Sequence, residues 1–228
     1  MHGELEVVGS VPEAFAPVVA DHLTRAGGGP VFFSGGPTAR ACYDHLAATA
    51  GPGGALAVPW GQVDAYWGDE RCVPPDDPDS NHALTMAALL DRVGPVRSVH
   101  PMFTGGDPDD AAGAYATGVS ALPTLGLVHL GMGPDGHCAS LFPGAPALDI
   151  DDPGRPVVAT VDPTGTNPHP RLTLTLPAIA RADLVVFTVS GAAKRDALAR
   201  VRAGEDLPAG RVQARRVLWL VDAEAAGS

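Results

Sequence analysis

The sequence predicts an α/β fold: one domain spanning residues 1–228, built on a mostly parallel, Rossmann-like sheet with helices on both faces. Three observations carry that expectation. Apolar runs bounded by turn residues recur along the chain, and helical patterns lie between them. Several of the runs are continuously apolar, as strands buried on both faces are. Neither an internal repeat nor a low-complexity linker divides the chain.

The elements follow in order. Val11–Ala26 has helical periodicity, and Val31–Ser34 is a short apolar run ending in Ser34-Gly35-Gly36, a strand and its turn. Thr38–Ala50 resumes the helical pattern. Val63–Gly68 is the next strand, followed by the irregular Pro74–Asp79 loop and a helix over Ser80–Arg92, with Ser80 as its N-cap. Ser98–Phe103 reads as a strand, Asp109–Ala121 as a helix and Leu125–Leu130 as a buried strand. Beyond the Gly144–Gly154 loop come strands over Pro156–Val161, Leu172–Leu176, Leu184–Val189 and Val217–Val221, with one helix over Ala192–Arg202.

Composition excludes several classes. No stretch approaches the ~18–20 apolar residues of a membrane span. Met1 to Ser10 lacks the basic and apolar regions of a secretory signal, so a cytoplasmic protein is expected. Cys42, Cys72 and Cys138 form no C-x-x-C pair, which fits reduced thiols. A net charge of −11 argues against nucleic acid. Fourteen of the 15 basic residues are arginine, and Lys194 is the exception. A base composition favouring arginine explains the fourteen without explaining position 194.

In open α/β sheets, ligands bind beyond the C-terminal strand ends, so the polar residues there are the ones to read. Gly131, Gly133 and Gly136 satisfy G-x-G-x-x-G after a strand. Pro143, Gly144 and Pro146 break the helix that a dinucleotide site needs, and no acidic residue ends a second strand at the right distance. Ser34-Gly35-Gly36-Pro37-Thr38 outlines a phosphate cradle: free amides at a helix start, with two hydroxyls beside them. It lacks the lysine of a Walker A loop. The same residues also suit an ordinary tight turn. Trp67-Gly68-Asp69-Glu70-Arg71 sets two carboxylates and a guanidinium at a strand end, able to bind sugar hydroxyls or an oxyanion, or to form a solvated ion cluster.

His137 lies in a glycine-rich loop two residues after Asp135, near enough for the carboxylate to fix its tautomer. Cys138 and Ser140 are weak candidates for a nucleophile, because no G-x-S-x-G elbow exists. No His/Cys spacing fits zinc, and the acidic Asp76–Asn81 stretch lacks the glycine and terminal glutamate of a calcium loop. Arg171 opens a strand. Lys194 falls in the first turn of a predicted helix, where a cation opposes the dipole unless an anion is nearby.

Together these segments resemble the 6-phosphogluconolactonases. The matching pieces are Ser34-Gly35-Gly36-Pro37-Thr38, Trp67-Gly68-Asp69-Glu70-Arg71-Cys72-Val73-Pro74, Ser80-Asn81, Leu130 to Gly144, Arg171-Leu172-Thr173-Leu174-Thr175 and Gly191-Ala192-Ala193-Lys194. They come in the family's order and cover most of Val31 to Val221. Pro37 departs from the family's usual serine. The resemblance implies a fold similar to glucosamine-6-phosphate deaminase. That related family carries a glutamate after the histidine, where this chain has Ser140-Leu141-Phe142-Pro143, and tends to carry tyrosine where this chain has Arg71.

The resemblance further implies hydrolysis of 6-phospho-D-glucono-1,5-lactone, a phosphosugar lactone, without metal or organic cofactor. His137 would deprotonate the attacking water, Asp135 would orient it, and Arg71 would stabilise developing charge or position the sugar acid. Ser34, Gly35, Gly36, Thr38, Arg171 and Lys194 would hold the phosphate, and Asp69 is a further candidate contact. The expected partner is a small molecule, neither nucleic acid nor membrane, and the expected state is a monomer. Two other readings remain at this point: a deaminase or isomerase of the related family, and a sugar-phosphate sensor without turnover.

Overall fold

A computed structural model of the chain describes residues Met1 to Gly227. Its strands are β1 (Glu4–Val8), β2 (Gly29–Phe33), β3 (Val63–Trp67), β4 (Asp69–Arg71), β5 (Ser98–Val99), β6 (Leu127–Gly131), β7 (Val157–Thr160), β8 (Arg171–Leu174), β9 (Leu184–Val189) and β10 (Val217–Asp222). The longer helices are α1 (Val11–Ala26), α2 (Pro37–Ala50), α5 (Pro108–Ala121) and α7 (Arg195–Arg202). Short helical pieces are α3 (Asn81–Thr85), α4 (Asp91–Val93), α6 (Leu176–Ile179), α8 (Pro208–Arg211) and α9 (Ala223–Ala226).

Seven strands form one sheet in the order β1-β10-β9-β6-β2-β3-β5, with every pair parallel. All six residues of β9 are buried, as a central parallel strand covered on both faces requires. The mostly parallel helix-flanked sheet that the sequence predicts is therefore the observed architecture. The chain leaves β2 toward β3 on one side, and β6 later joins β2 on the other. This reversal creates a crevice at the C-terminal ends of β2 and β6.

Several details differ from the sequence expectation. The strands near Pro156–Val161 and Leu172–Leu176 do not join the parallel sheet; β7 and β8 pair antiparallel with β4 in a second, three-stranded sheet. The loop between them carries no helix, and a parallel crossover needs a dozen or more residues. β1 was not expected, because its acidic, mostly exposed edge lacks the buried run of the inner strands. β5 stops at Val99, ahead of Pro101. The helix over Ser80–Arg92 is interrupted by a π turn at Met86–Leu90.

Gly68 joins the two sheets. Its amide donates to the Phe33 carbonyl at 2.9 Å, and its own carbonyl accepts from Leu174 at 2.8 Å. One apolar cluster then runs from Val31 and Phe32 of β2 to Leu172 and Leu174 of β8. The second sheet thus forms a wall beside the crevice.

Candidate active site

Every nominated residue except Asp135 lines a single cleft at the C-terminal strand ends. Asp135 lies just behind it, bonded to His137.

The β2 turn is held from below. Tyr43 Oη on α2 accepts the Ser34 amide at 2.7 Å and lies 3.1 Å from the Ser34 carbonyl. That amide is therefore committed to the fold. The Gly35 and Gly36 amides, by contrast, make no hydrogen bond among the described residues. Gly36 has φ +91°, which an L side chain rarely adopts, and Pro37 begins the helix after it. At Gly35 a Cβ would collide with the Asn81 carboxamide, so only glycine fits there.

Behind Tyr43 is a buried polar chain. Tyr43 Oη lies 2.8 Å from His129 Nδ1, and His129 Nε2 lies 2.9 Å from Thr188 Oγ1. Burial pushes the fully enclosed His129 down to about 3, so its ring is neutral at ordinary pH. Thr188 also lines the cleft. The relay ties the glycine turn of β2 to the end of β9.

A second glycine turn follows β9. Gly191 has φ +91°, and Asp222 fixes it by accepting its amide at 3.0 Å and the Ser190 hydroxyl at 2.5 Å. Lys194 falls in a 3-10 turn, Ala192–Lys194, ahead of α7, where the sequence placed the first turn of one longer helix. The Lys194 ammonium makes neither a hydrogen bond nor an ion pair among the described residues. Burial lowers its pKa, and the charge of Asp135 opposes that shift.

The Gly133–His137 turn is tight. The Gly133 amide donates to the His137 carbonyl at 2.8 Å, and the Gly136 amide to the Gly133 carbonyl at 3.0 Å. A Cβ on Gly133 would run into the His137 ring. His137 Nδ1 lies 2.6 Å from Asp135 Oδ1, which leaves Nε2 as the ring nitrogen without a protein partner. Burial works against Asp135 ionising, but the His137 hydrogen bond and charge outweigh it and lower the carboxyl pKa. Next in the loop, Ala139 has φ +47°, the one positive φ outside glycine among the described residues. Backbone strain of this kind gathers at functional sites.

The two carboxylates of β4 have separate fates. Glu70 is 2 % exposed and accepts amides from Arg71, Asn81 and His82, each at 2.7 Å. It organises the loop and does not line the cleft. Burial raises its pKa, and those amides pull the other way. Asp69 does line the cleft, but its carboxylate is heavily bonded. It accepts from Ser140 Oγ at 2.6 Å and Asn81 Nδ2 at 3.3 Å, and lies 3.8 Å from Arg171 Nη1. Ser140, fully buried on Asp69, and Cys138, buried with its thiol pKa pushed up, are poorly placed as nucleophiles.

Arg71 and Arg171 enter from β4 and β8. Arg71 Nη1 donates to the Asp79 carbonyl, and Arg171 Nη2 to Asn167 Oδ1 at 3.1 Å. Burial lowers the Arg171 pKa, an effect opposed first by Asp69. Among the described residues, the buried polar side-chain atoms without a partner are Arg71 Nε, Arg171 Nε and Asn81 Oδ1, and all three belong to cleft residues. Natural folds rarely leave such groups unpaired outside functional sites.

Sequence reasoning did not nominate Asn81, Asn167, Thr188, or the Tyr43–His129 support. A histidine inside the apolar run Leu127–Leu130 was the available signal for the last, since a buried polar side chain requires partners.

The chain is similar to known proteins over most of its length. A family model described as glucosamine-6-phosphate isomerases/6-phosphogluconolactonase matches residues 4–219. A 6-phosphogluconolactonase of Synechocystis is 37% identical over 226 residues, covering 91% of this chain and 89% of that protein. One from Mycobacterium tuberculosis is 40% identical over 213 residues, covering 86% and 83%. Among solved structures, a 6-phosphogluconolactonase from Thermotoga maritima superposes with a TM-score of 0.80 at 28% identity, covering 96% of this chain and 98% of that one. A monomeric glucosamine-6-phosphate deaminase shares the fold, with a TM-score of 0.81 at 20% identity over 98% and 99% of the two chains. From the family match and these identities, the chain belongs to the glucosamine-6-phosphate isomerase/6-phosphogluconolactonase family.

Proposed function

We propose that this chain hydrolyses 6-phospho-D-glucono-1,5-lactone to 6-phospho-D-gluconate. The observation that carries the reading is the His137–Asp135 pair at 2.6 Å, whose histidine shares a cleft with Lys194, Arg171 and Arg71. An Nδ1–H donated to Asp135 makes Nε2 the basic nitrogen. Nε2 takes a proton from water as the water oxygen attacks C1 of the lactone. The carbonyl electrons move to oxygen, and Arg71 stabilises that charge or positions the sugar acid. The C1–ring oxygen bond then breaks, and the proton passes from Nε2 to the leaving oxygen.

The 6-phosphate is what the remaining polar cleft residues would hold. The Gly35 and Gly36 amides, the Ser34 and Thr38 hydroxyls, Arg171 and Lys194 are its proposed donors. An unpartnered lysine in a chain of net charge −11 supports an anionic ligand. Asp69 would act indirectly, by anchoring Arg171 and Asn81. The route requires no metal or organic cofactor, and one protomer supplies every group. The reaction belongs to the second step of the oxidative pentose phosphate pathway, in the cytoplasm. A deaminase has less support, because Ser140-Leu141-Phe142-Pro143 offers no carboxylate after His137.

The test compares three compounds with the purified protein: the phosphorylated lactone, glucono-1,5-lactone and glucosamine 6-phosphate. Rapid hydrolysis of the first, with kcat/KM on the second lower by at least about 10²-fold and no turnover of the third, is the expected result. Turnover of glucosamine 6-phosphate would overturn the reading in favour of a deaminase. Binding of the phosphosugars without turnover would favour a sensor.

A further inference from the structure

We infer that Asp162 and Asn167, in the loop between β7 and β8, are positioning residues that set the guanidinium of Arg171 through a continuous hydrogen-bond chain. The inference rests on the proposed reading of the cleft.

The chain starts at the carboxylate. Asp162 Oδ1 accepts the Thr164 amide and hydroxyl, each at 2.8 Å. Oδ2 accepts the Asn167 amide at 3.0 Å and Asn167 Nδ2 at 2.7 Å. With Nδ2 committed to a carboxylate, the Asn167 carboxamide has one sensible orientation. Its Oδ1 then faces Arg171 Nη2 at 3.1 Å. A flipped amide would set oxygen against carboxylate and N–H against guanidinium, so both contacts would turn repulsive.

Arg171 is therefore gripped from two sides. Asp69 lies 3.8 Å from Nη1, and Asn167, backed by Asp162, holds Nη2. The guanidinium carbon also lies 5.7 Å from the Phe142 ring centroid. The loop that makes this grip begins and ends beside a paired position, because Thr160 is opposite Arg171 in the β7–β8 ladder. A free arginine loses rotamer freedom when it binds an anion, and holding it in place beforehand removes much of that cost. Burial works against the Asp162 charge, but its donors outweigh burial and bring the carboxyl down to about 2. The acceptor that anchors the chain is thus ionised at any working pH.

A knot that merely closed the hairpin would use the same bonds, so the test must separate stability from substrate binding. Asn167→Ala removes the bond to Arg171 yet keeps the backbone amide bond to Asp162. Lactone hydrolysis and thermal unfolding are measured for Asn167→Ala, Asp162→Asn, Arg171→Ala and the Asn167→Ala/Arg171→Ala double variant. Losing a hydrogen bond to a charged group predicts a KM about tenfold higher for Asn167→Ala, with kcat within about twofold. In the Arg171→Ala background the same change should add less than about twofold, since the group it positions is gone. Asp162→Asn should raise KM in the same direction. An active wild type whose KM is untouched by both Asn167→Ala and Asp162→Asn overturns the inference, as does an equal loss in both Arg171 backgrounds. A wild type inert toward the lactone defeats the functional reading itself.

Discussion

Asp135 Oδ1 accepts twice from His137: the ring Nδ1 lies 2.6 Å away and the backbone amide 3.2 Å away. One carboxylate oxygen thus sets both the tautomer and the ring direction of the residue two positions on. Under the proposed function, Asp135→Asn keeps the shape but can offer its amide N–H to Nδ1, favouring the wrong tautomer. kcat should fall about 10²–10⁴-fold, with KM little changed. Steady-state kinetics on the phosphorylated lactone, beside a thermal melt of the variant, checks this.

Gly133 gives a steric test of the same pair. A Cβ there would press on the His137 ring and on Asp135 Oδ1 at 2.5 Å. Gly133→Ala should lower kcat about 10²-fold by displacing the ring, since misplacement on the ångström scale is enough. Gly118→Ala on α5 serves as the control, because nothing lies within 4 Å of a Cβ at that position and it lies outside the cleft. Equal kinetics for the two variants would count against a base held at His137.

Lys194 should act on the phosphate and not on the chemistry. Lys194→Ala is expected to raise KM for the phosphorylated lactone about tenfold or more, and to leave hydrolysis of glucono-1,5-lactone unchanged. Inhibition by inorganic phosphate should weaken in parallel. A drop in kcat on both lactones would instead place the ammonium beside the reacting carbonyl.

His129 makes stability depend on pH in a defined direction. Its pKa falls from 6.5 to about 3 on folding, so below about pH 6.5 the unfolded chain binds a proton that the folded one does not. The contribution is complete above 6.5 and declines as pH falls toward 3. Its slope approaches ~1.4 kcal/mol per pH unit. His129→Gln should remove that slope in denaturant titrations between pH 6 and 4. An unchanged slope would show that His129 is not the group responsible.

Much of this site was legible because its parts are local. Ser34 to Thr38, Asp135 to His137 and Gly191 to Lys194 are each a strand end, a glycine turn and a side chain within a few residues. Their convergence follows from the rule that parallel strands present one end to ligand. What the sequence does not show depends on distant pairing. Tyr43 meets His129 across 86 positions, and His129 meets Thr188 across 59. Asn167 sits in a polar loop without periodicity, and its importance follows from Arg171 being folded back beside it. Local pattern likewise could not separate the second sheet from the first, because β7 and β8 read as apolar strands in either. The missing helix between them decided the matter.

The proposed function depends above all on His137 Nε2 deprotonating the attacking water. Its most direct test is the initial rate of 6-phospho-D-glucono-1,5-lactone hydrolysis, corrected for the spontaneous reaction, in wild type and in a folded His137→Ala variant. The expected kcat/KM is lower by about 10²–10⁴-fold in the variant, with inorganic phosphate still binding as in wild type. Wild-type hydrolysis that survives His137→Ala unchanged would contradict it.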